Sequence, residues 1–306
     1  MKHIFFINPT AGKGKLQNGI ISRIKDYFSD KKTKFEIYIT KFHGDAEKTA
    51  KSYAETGEEM CIYACGGEGT FYEILNGVMG YKNVTLGVVP CGSANDFIKY
   101  FNSKSEFMDI HSQVEGNAIE MDVIKAGDRF CFNGCSVGMD AVVARDMSIF
   151  KNLPLVSGKA AYKLAIVKTF LCKIGVKIKL SINGNMPEDK FCLFAVIANA
   201  PYYGGGYMAA PKAVPNDGKL NFTLVNVISK LRVPKFLKRY EAGDIDDLDY
   251  CYTSDCSSMS FTSEKPIPVN LDGEIIETDS MSFEIIKNAV KFIVPVGVTP
   301  KMLINV

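Results

Sequence analysis

Along the first third of the chain, short apolar runs alternate with longer stretches of helical spacing. HIFFI is followed by Gly19 to Ser29, FEIYIT by Asp45 to Thr56, MCIYA by Phe71 to Met79, and VTLGVVP by Ala94 to Tyr100. This rhythm predicts repeated β-α units around a mainly parallel sheet, whose ligands gather at the carboxyl ends of the strands. From about residue 119 strand-like runs dominate: AIEMDVIKA, RFCFNGCSVG, VKIKLSING, FCLFAVIANA, KLNFTLVNV, SMSFTS, IPVNLDGE and SMSFEIIK. They predict an antiparallel β-sandwich. The expected organisation is an α/β nucleotide-binding domain over residues 1–118, a β-sandwich over 119–288, and a closing segment, 289–306, that returns to the first domain.

One helical candidate, residues 158 to 175, interrupts the β half. Lys159, Lys163 and Lys173 share one side of its wheel and Lys168 lies opposite, so it reads as a core helix with a solvated lysine face. A basic edge resting on an anionic membrane is the sharper alternative. The acidic stretch Glu241, Asp244, Asp246, Asp247 and Asp249 reads as a solvated face.

Composition narrows the classes. With 306 residues, 47% of them hydrophobic, the chain can bury a large core, and a net charge of +2 gives no field that would attract nucleic acid. No run reaches the ~18 apolar residues of a membrane span, so a cytoplasmic protein is expected. Nine cysteines, several inside apolar runs, read as small buried hydrophobes, and the Cys61/Cys65 and Cys131/Cys135 spacings do not match zinc sites.

Four candidate sites sit at predicted strand ends of the first half. Asn8-Pro9-Thr10-Ala11-Gly12 follows HIFFI with small residues that let backbone N–H groups approach an anion, although a plain turn reads equally well. Thr40 ends FEIYIT, and Asp45 beyond it reads as a helix cap. In IYACGGEGTFYEILNG, Gly66, Gly67 and Gly69 allow close backbone approach to phosphates, and Glu68 among them makes sense beside a magnesium ion. PCGSANDFIKY adds the Ser93 hydroxyl and Asp96, a second metal acid or an N-cap.

NPTAG, GGEGT-x3-EILNG and PCGSANDF, followed by NAPYYGGGYMAAPKAVPNDGKLNF and VNLDGE, resemble in order and spacing the diacylglycerol kinase catalytic family, in particular its soluble bacterial lipid kinases. The resemblance covers essentially the whole chain. It implies ATP contacts at Asn8, Pro9, Thr10, Ala11, Gly12, Thr40, Gly66, Gly67, Glu68, Gly69, Thr70, Phe71, Tyr72 and Ser93. It implies Glu274 as general base toward a lipid hydroxyl, with Asp272, Glu68 and Asp96 positioning Mg2+. A structural magnesium is implied at the Asp217 carboxylate and the carbonyl oxygens of Val214 and Lys219.

Diacylglycerol, met at a membrane surface through peripheral contact, is the acceptor by family frequency. A homodimer through strand edges is an open expectation. The family pattern has Asp where this chain has Glu68, a displacement of roughly 1.5 Å for the carboxylate. Two other readings stand beside the lipid kinase: an NAD kinase-like enzyme, and a nucleotide- or lipid-binding regulator weakened by Glu68.

Overall fold

The computed structural model describes residues 1–14, 17–92, 95–151, 164–165, 168–169 and 175–298. Its contacts divide the chain into two compact units. The first comprises Met1–Val123, Val214–Gly218 and the chain from Ile286; the second comprises Ile124–Ala213 and Lys219–Ile285. The first unit therefore runs past residue 118 and includes a short return at 214–218 for which the sequence pattern gave no sign.

In the first unit the order is β1 (Lys2–Ile7), α1 (Gln17–Phe28), β2 (Phe35–Ile39), α2 (Asp45–Ala54), β3 (Met60–Gly66), α3 (Glu68–Val78), β4 (Val84–Pro90), α4 (Lys104–Met108) and α5 (Ile110–Val114). The strands lie parallel in the order β2-β1-β3-β4. After β1 the chain moves to one side for β2 and then crosses to the other for β3. The carboxyl ends of β1 and β3 thus flank a topological switch point, the usual ligand position of such sheets.

Every residue of β3 and β4 is buried, which accounts for their unbroken apolar runs. On one face α1 packs Ile20, Ile24 and Phe28, one turn apart, onto Phe5 and Tyr63, whose rings stack at 4.5 Å. On the α2 side, a Cβ on Gly77 of α3 would come within 2.3 Å of the Glu47 carbonyl oxygen, so the two helices touch backbone to backbone there.

The next strand, β5 (Asn117–Ala126), leaves the first unit. Before it does, the buried Asp122 gathers three passages of that unit: its N–H donates to the Pro215 carbonyl, and its carboxylate accepts from Gly218 N–H (2.6 Å) and Asn288 N–H (2.8 Å). These bonds hold most of AIEMDVIKA to the first unit rather than the second. Burial raises the Asp122 pKa, and the two backbone donors oppose the rise.

The second unit continues with β6 (Arg129–Cys131), β7 (Gly134–Gly138), α6 (Met139–Lys151), β8 (Val176–Ile182), β9 (Glu188–Ala198), β10 (Tyr202–Tyr203), β11 (Tyr207–Met208), β12 (Leu220–Asn226), α7 (Val233–Ala242), β13 (Cys251–Cys256), β14 (Ser258–Leu271) and β15 (Glu274–Val294). Its strands pair antiparallel in the order β13-β12-β9-β7-β14-β15, with β8 between β9 and β14 at their far ends. SMSFTS and IPVNLDGE, read as separate runs, are largely one strand, β14, interrupted by an irregularity between Thr262 and Ile267. On β9, α7 packs Phe236 and Tyr240 against Phe194.

β15 is shared. Its first residues pair with β14, and its end lies parallel to β4 in the first unit, where Lys291 faces Thr85 and Phe292 faces Leu86. Phe292 is fully buried there among Phe71, Phe97, Phe101 and Phe107.

The sequence pattern anticipated neither α6 nor α7. The signals for α7 were present: Pro234 in its first turn and Gly243 in a left-handed C-terminal cap. The candidate helix at 158–175 lies outside the described residues apart from five positions. Among the described cysteines all are free, and all but the partly buried Cys251 are buried.

Candidate functional site

At the carboxyl end of β1, Asn8 organises its loop from both sides. Its side-chain oxygen accepts from the Thr10 N–H (3.0 Å) and hydroxyl (2.8 Å), and its amide donates to Thr70 Oγ1 at the start of α3 (3.1 Å). Pro9 lies inside this turn, which runs into a short 3-10 turn over Ala11–Gly14, with Gly12 at φ 60°. Thr40, just past β2, donates its N–H to the Ile7 carbonyl (3.0 Å), which holds it at the same sheet edge.

The loop after β3 is interlocked with the one after β4. The Gly66 carbonyl accepts from Cys91 N–H (2.9 Å), Gly92 N–H (3.1 Å) and Asn95 Nδ2 (3.4 Å). A Cβ on Gly66 would meet Thr70 Oγ1 at 2.4 Å, and one on Gly92 would meet Gly67 Cα at 2.7 Å. Glycine is required at both places by close approach. Gly67 is the N-cap of α3 in extended conformation and makes no side-chain cap bond.

The neighbouring helix shows a contrast. At α2 the N–H groups of Gly44 and Ala46 are taken by Glu73 of α3 (2.8 and 3.1 Å). Asp45, expected to cap α2, accepts instead from Lys41 N–H and the Tyr38 hydroxyl. α3 begins at the switch point behind a glycine N-cap, Gly67, which carries no side chain to cap its first turn, and a helix start of this kind can bind phosphate oxygens. Phe71 and Tyr72 are buried, and the Phe71 N–H donates to the Gly67 carbonyl.

Glu68 Oε1 accepts from the N–H of Asp96 (2.7 Å), which opens the 3-10 turn Asp96–Phe101. Asp96 is buried and paired with Lys99. Asn95, at φ 50° and also buried, has an Oδ1 with no hydrogen-bond partner among the described residues. Glu68 thus meets the backbone of the Asn95–Asp96 stretch across two interlocked loops, while the Asp96 carboxylate is engaged by Lys99; oxygen groups of this kind are the ones a hard cation takes. Sequence reasoning overlooked Asn95, although its place just before Asp96 in PCGSANDF was visible. Ser93 lies outside the described residues.

The remaining acids belong to the second unit. Asp272 and Gly273 form the turn between β14 and β15, and Glu274 is the first residue of β15, half-buried and opposite Leu271. The Asp272 carboxylate is enclosed by backbone N–H groups of Phe132, Asn133 and Gly134. Burial pushes its pKa up to about 6, against the pull of those donors. Among the described residues no three His, Cys, Asp or Glu side chains converge as a metal cluster. Of the three acids expected at magnesium, Glu68 and Asp96 belong to the first unit and Asp272 to the second.

In the 214–218 return, the Val214 carbonyl accepts from Asp217 N–H (3.3 Å) in a turn. Lys219 opens the following passage of the second unit with its ammonium 3.0 Å from Asp255.

A further polar group was not anticipated. Ser136 donates to Asp140 (2.7 Å) and lies 2.8 Å from the Tyr203 hydroxyl. Asp140 borders a small pocket lined by Met139, Val143, Phe194, Tyr207, Leu237 and Tyr240. Enclosure raises the Asp140 pKa, with the Ser136 and Tyr203 hydrogen bonds opposing. The clue was SVGMDA, an acid directly after a strand.

Comparison with known proteins identifies the class. Residues 2–126 match the diacylglycerol kinase catalytic domain, and residues 133–294 match the YegS C-terminal NAD kinase beta sandwich-like domain. The chain belongs to the family that joins these two domains, a family of lipid kinases with an N-terminal nucleotide-binding domain.

Among its relatives is a Staphylococcus epidermidis protein named provisionally as a lipid kinase, 25% identical over 95% of both chains. A Staphylococcus aureus protein of the same description is 24% identical over 95% of this chain and 96% of its own. Two Bacillus anthracis crystal structures share the fold. One, described provisionally as a diacylglycerol kinase, has a TM-score of 0.75 at 20% identity, over 97% of this chain and 98% of that one. The other, described as a diacylglycerol kinase, has a TM-score of 0.69 at 18% identity with the same coverage. No helix among the described residues is long and apolar enough to cross a membrane.

Proposed function

We propose that this chain transfers the γ-phosphoryl group of ATP to the hydroxyl of a lipid, with diacylglycerol as acceptor and phosphatidic acid as product. The observation that carries the reading is the start of α3: a helix with Gly67 as its N-cap, behind a glycine turn that admits no side chain, at the sheet's switch point. ATP phosphates would lie against the N–H groups of Gly67 to Thr70. Asn8, Thr10 and Thr40 would line the same strand ends.

Bound magnesium would be held by Glu68, Asp96 and the Asn95 amide oxygen, and would neutralise phosphate charge. A second, structural cation would take the Asp217 carboxylate and the Val214 and Lys219 carbonyls. Glu274 would accept the proton of the lipid hydroxyl as that oxygen attacks phosphorus. The lipid would be met by transient peripheral contact at a membrane surface from the cytoplasmic side, and strand edges of the second unit would serve a homodimer.

The test is transfer from labelled ATP with magnesium to mixed micelles carrying diacylglycerol, with NAD in a parallel tube. We expect labelled phosphatidic acid, reduced by about 10²-fold or more in Glu274→Gln. Label in NAD would replace the reading with a nucleotide kinase. ATP binding without transfer to any acceptor would leave a regulatory protein.

A further inference from the structure

We infer that Asp272 is a positioning residue that clamps the β14–β15 turn onto the β6–β7 turn and so aims Glu274, rather than a ligand of magnesium. The inference rests on the reading of Glu274 as the base.

The geometry begins in the turn. Asp272 and Gly273 both have positive φ, 49° and 101°, the signature of a two-residue hairpin turn matched to strand twist. Leu271 and Glu274 close the hairpin as its last pair. Gly273 N–H donates to Asn270 Oδ1 (2.7 Å), and Asp272 N–H donates to the Gly134 carbonyl (3.1 Å). The direction in which Glu274 leaves the turn is therefore fixed by the backbone of its two predecessors.

The carboxylate then binds this turn to a second one. Oδ1 accepts from Gly134 N–H (2.8 Å) and Asn133 N–H (3.1 Å); Oδ2 accepts from Phe132 N–H and, at 3.2 Å, from Asn133 N–H again. An ionised carboxylate has about four acceptor positions, and these contacts occupy that many. Successive backbone N–H groups curled around an anion form a nest, and here the anion is the protein's own side chain. With its side chain enclosed and its lone pairs engaged, Asp272 has no strong donor left for a cation or for water that a cation holds.

The clamped turn also anchors its surroundings. The Asn133 carbonyl accepts from the N–H groups of Asn199 and Ala200, and Asn133 Nδ2 donates to the Tyr202 carbonyl. On the other flank β14 pairs with β7, Leu271 facing Cys135. An amide at 272 would point an N–H2 donor at backbone donors, so shape alone does not replace the carboxylate.

The experiment compares Asp272→Asn, Gly273→Ala and the double variant of the full chain in the lipid kinase assay, titrating ATP and magnesium. Amide hydrogen exchange at Phe132, Asn133, Gly134 and Glu274 is measured alongside. Gly273→Ala strains the turn through its positive φ without touching any acid, since its Cβ meets nothing within 4 Å. We expect both single variants to lower kcat by about 10²-fold. KM for ATP and the half-saturating magnesium concentration should stay within about twofold of wild type, the double variant should be no worse than Asp272→Asn, and the four amides should exchange faster.

A large rise in the magnesium requirement in Asp272→Asn alone would overturn the inference, as would wild-type kcat or wild-type exchange in that variant. If Asp272→Asn fails to fold, Gly273→Ala decides by the same split between kcat and KM. Absence of transfer by the wild-type protein would sink the lipid kinase reading by itself, while the exchange rates would still decide for or against the clamp.

Discussion

Glu68 follows Gly67 at the start of α3 and accepts from the Asp96 N–H with Oε1, from a half-buried position. Asp272 precedes Gly273 at the end of β14, and both its oxygens accept from three backbone donors in a buried position. In sequence the two look alike, each an acid beside glycine after an apolar strand. The difference lies in what the glycine serves. At Gly66 and Gly67 it clears space in front of a helix N-terminus, so the nearby acid stays accessible to a ligand. At Gly273 it closes a tight hairpin, and the acid turns inward to satisfy the backbone of the next turn.

The sharpest way to break this comparison is at the glycines. Gly66→Ala drives a methyl group into Thr70, which Asn8 holds in place. We expect a loss of about 1–3 kcal/mol in urea unfolding, as for other overpacked positions. ATP affinity, read by calorimetry, should weaken about tenfold, which corresponds to roughly 1.4 kcal/mol. Unchanged ATP affinity would mean that the α3 loop does not hold the phosphates.

A smaller effect is expected at Glu68. Glu68→Asp withdraws the carboxylate by roughly 1.5 Å and gives up the bond to Asp96 N–H, a cost of about 1 kcal/mol. Transfer should change by less than about tenfold. A rise of several orders of magnitude would instead show that the native glutamate disables the site.

The gentlest contrast concerns acid. The chain's three histidines, at positions 3, 43 and 111, all fall in the first unit. His3 lies against Tyr63, its Nδ1 2.9 Å from the hydroxyl, and burial lowers its pKa from 6.5 to about 4. The unfolded chain therefore takes up this proton first as pH falls. Stability from this group is complete above pH 6.5 and declines as pH drops toward 4. Denaturant midpoints measured across that window should fall in the wild type and fall less in His3→Asn. Equal slopes would exclude His3 as the cause.

Much of the first unit was legible because a parallel sheet covered on both faces leaves unbroken apolar runs, and β1, β3 and β4 are such runs. The loops after them were legible because their glycines mark close approaches, Gly92 to the backbone of Gly67 and Gly66 to the Thr70 side chain. Less of the second unit could be read. α6 carries Asp140 and Asp146 among short apolar residues, which blurs its helical period. α7 is ten residues long with half of them charged or polar, and only its capping residues mark it.

By itself the sequence determined the α/β first half, the antiparallel second half, the glycine loop and the acids that accompany it, because periodicity and turn chemistry are local properties written residue by residue. Only the tertiary structure decided where the acids point. Asp122 joins segments 96 and 166 positions away, and Asp272 closes on a turn about 140 positions earlier. A carboxylate takes its role from whichever donors the fold brings to it, and those donors are backbone N–H groups that every residue except proline carries. No side-chain pattern records them.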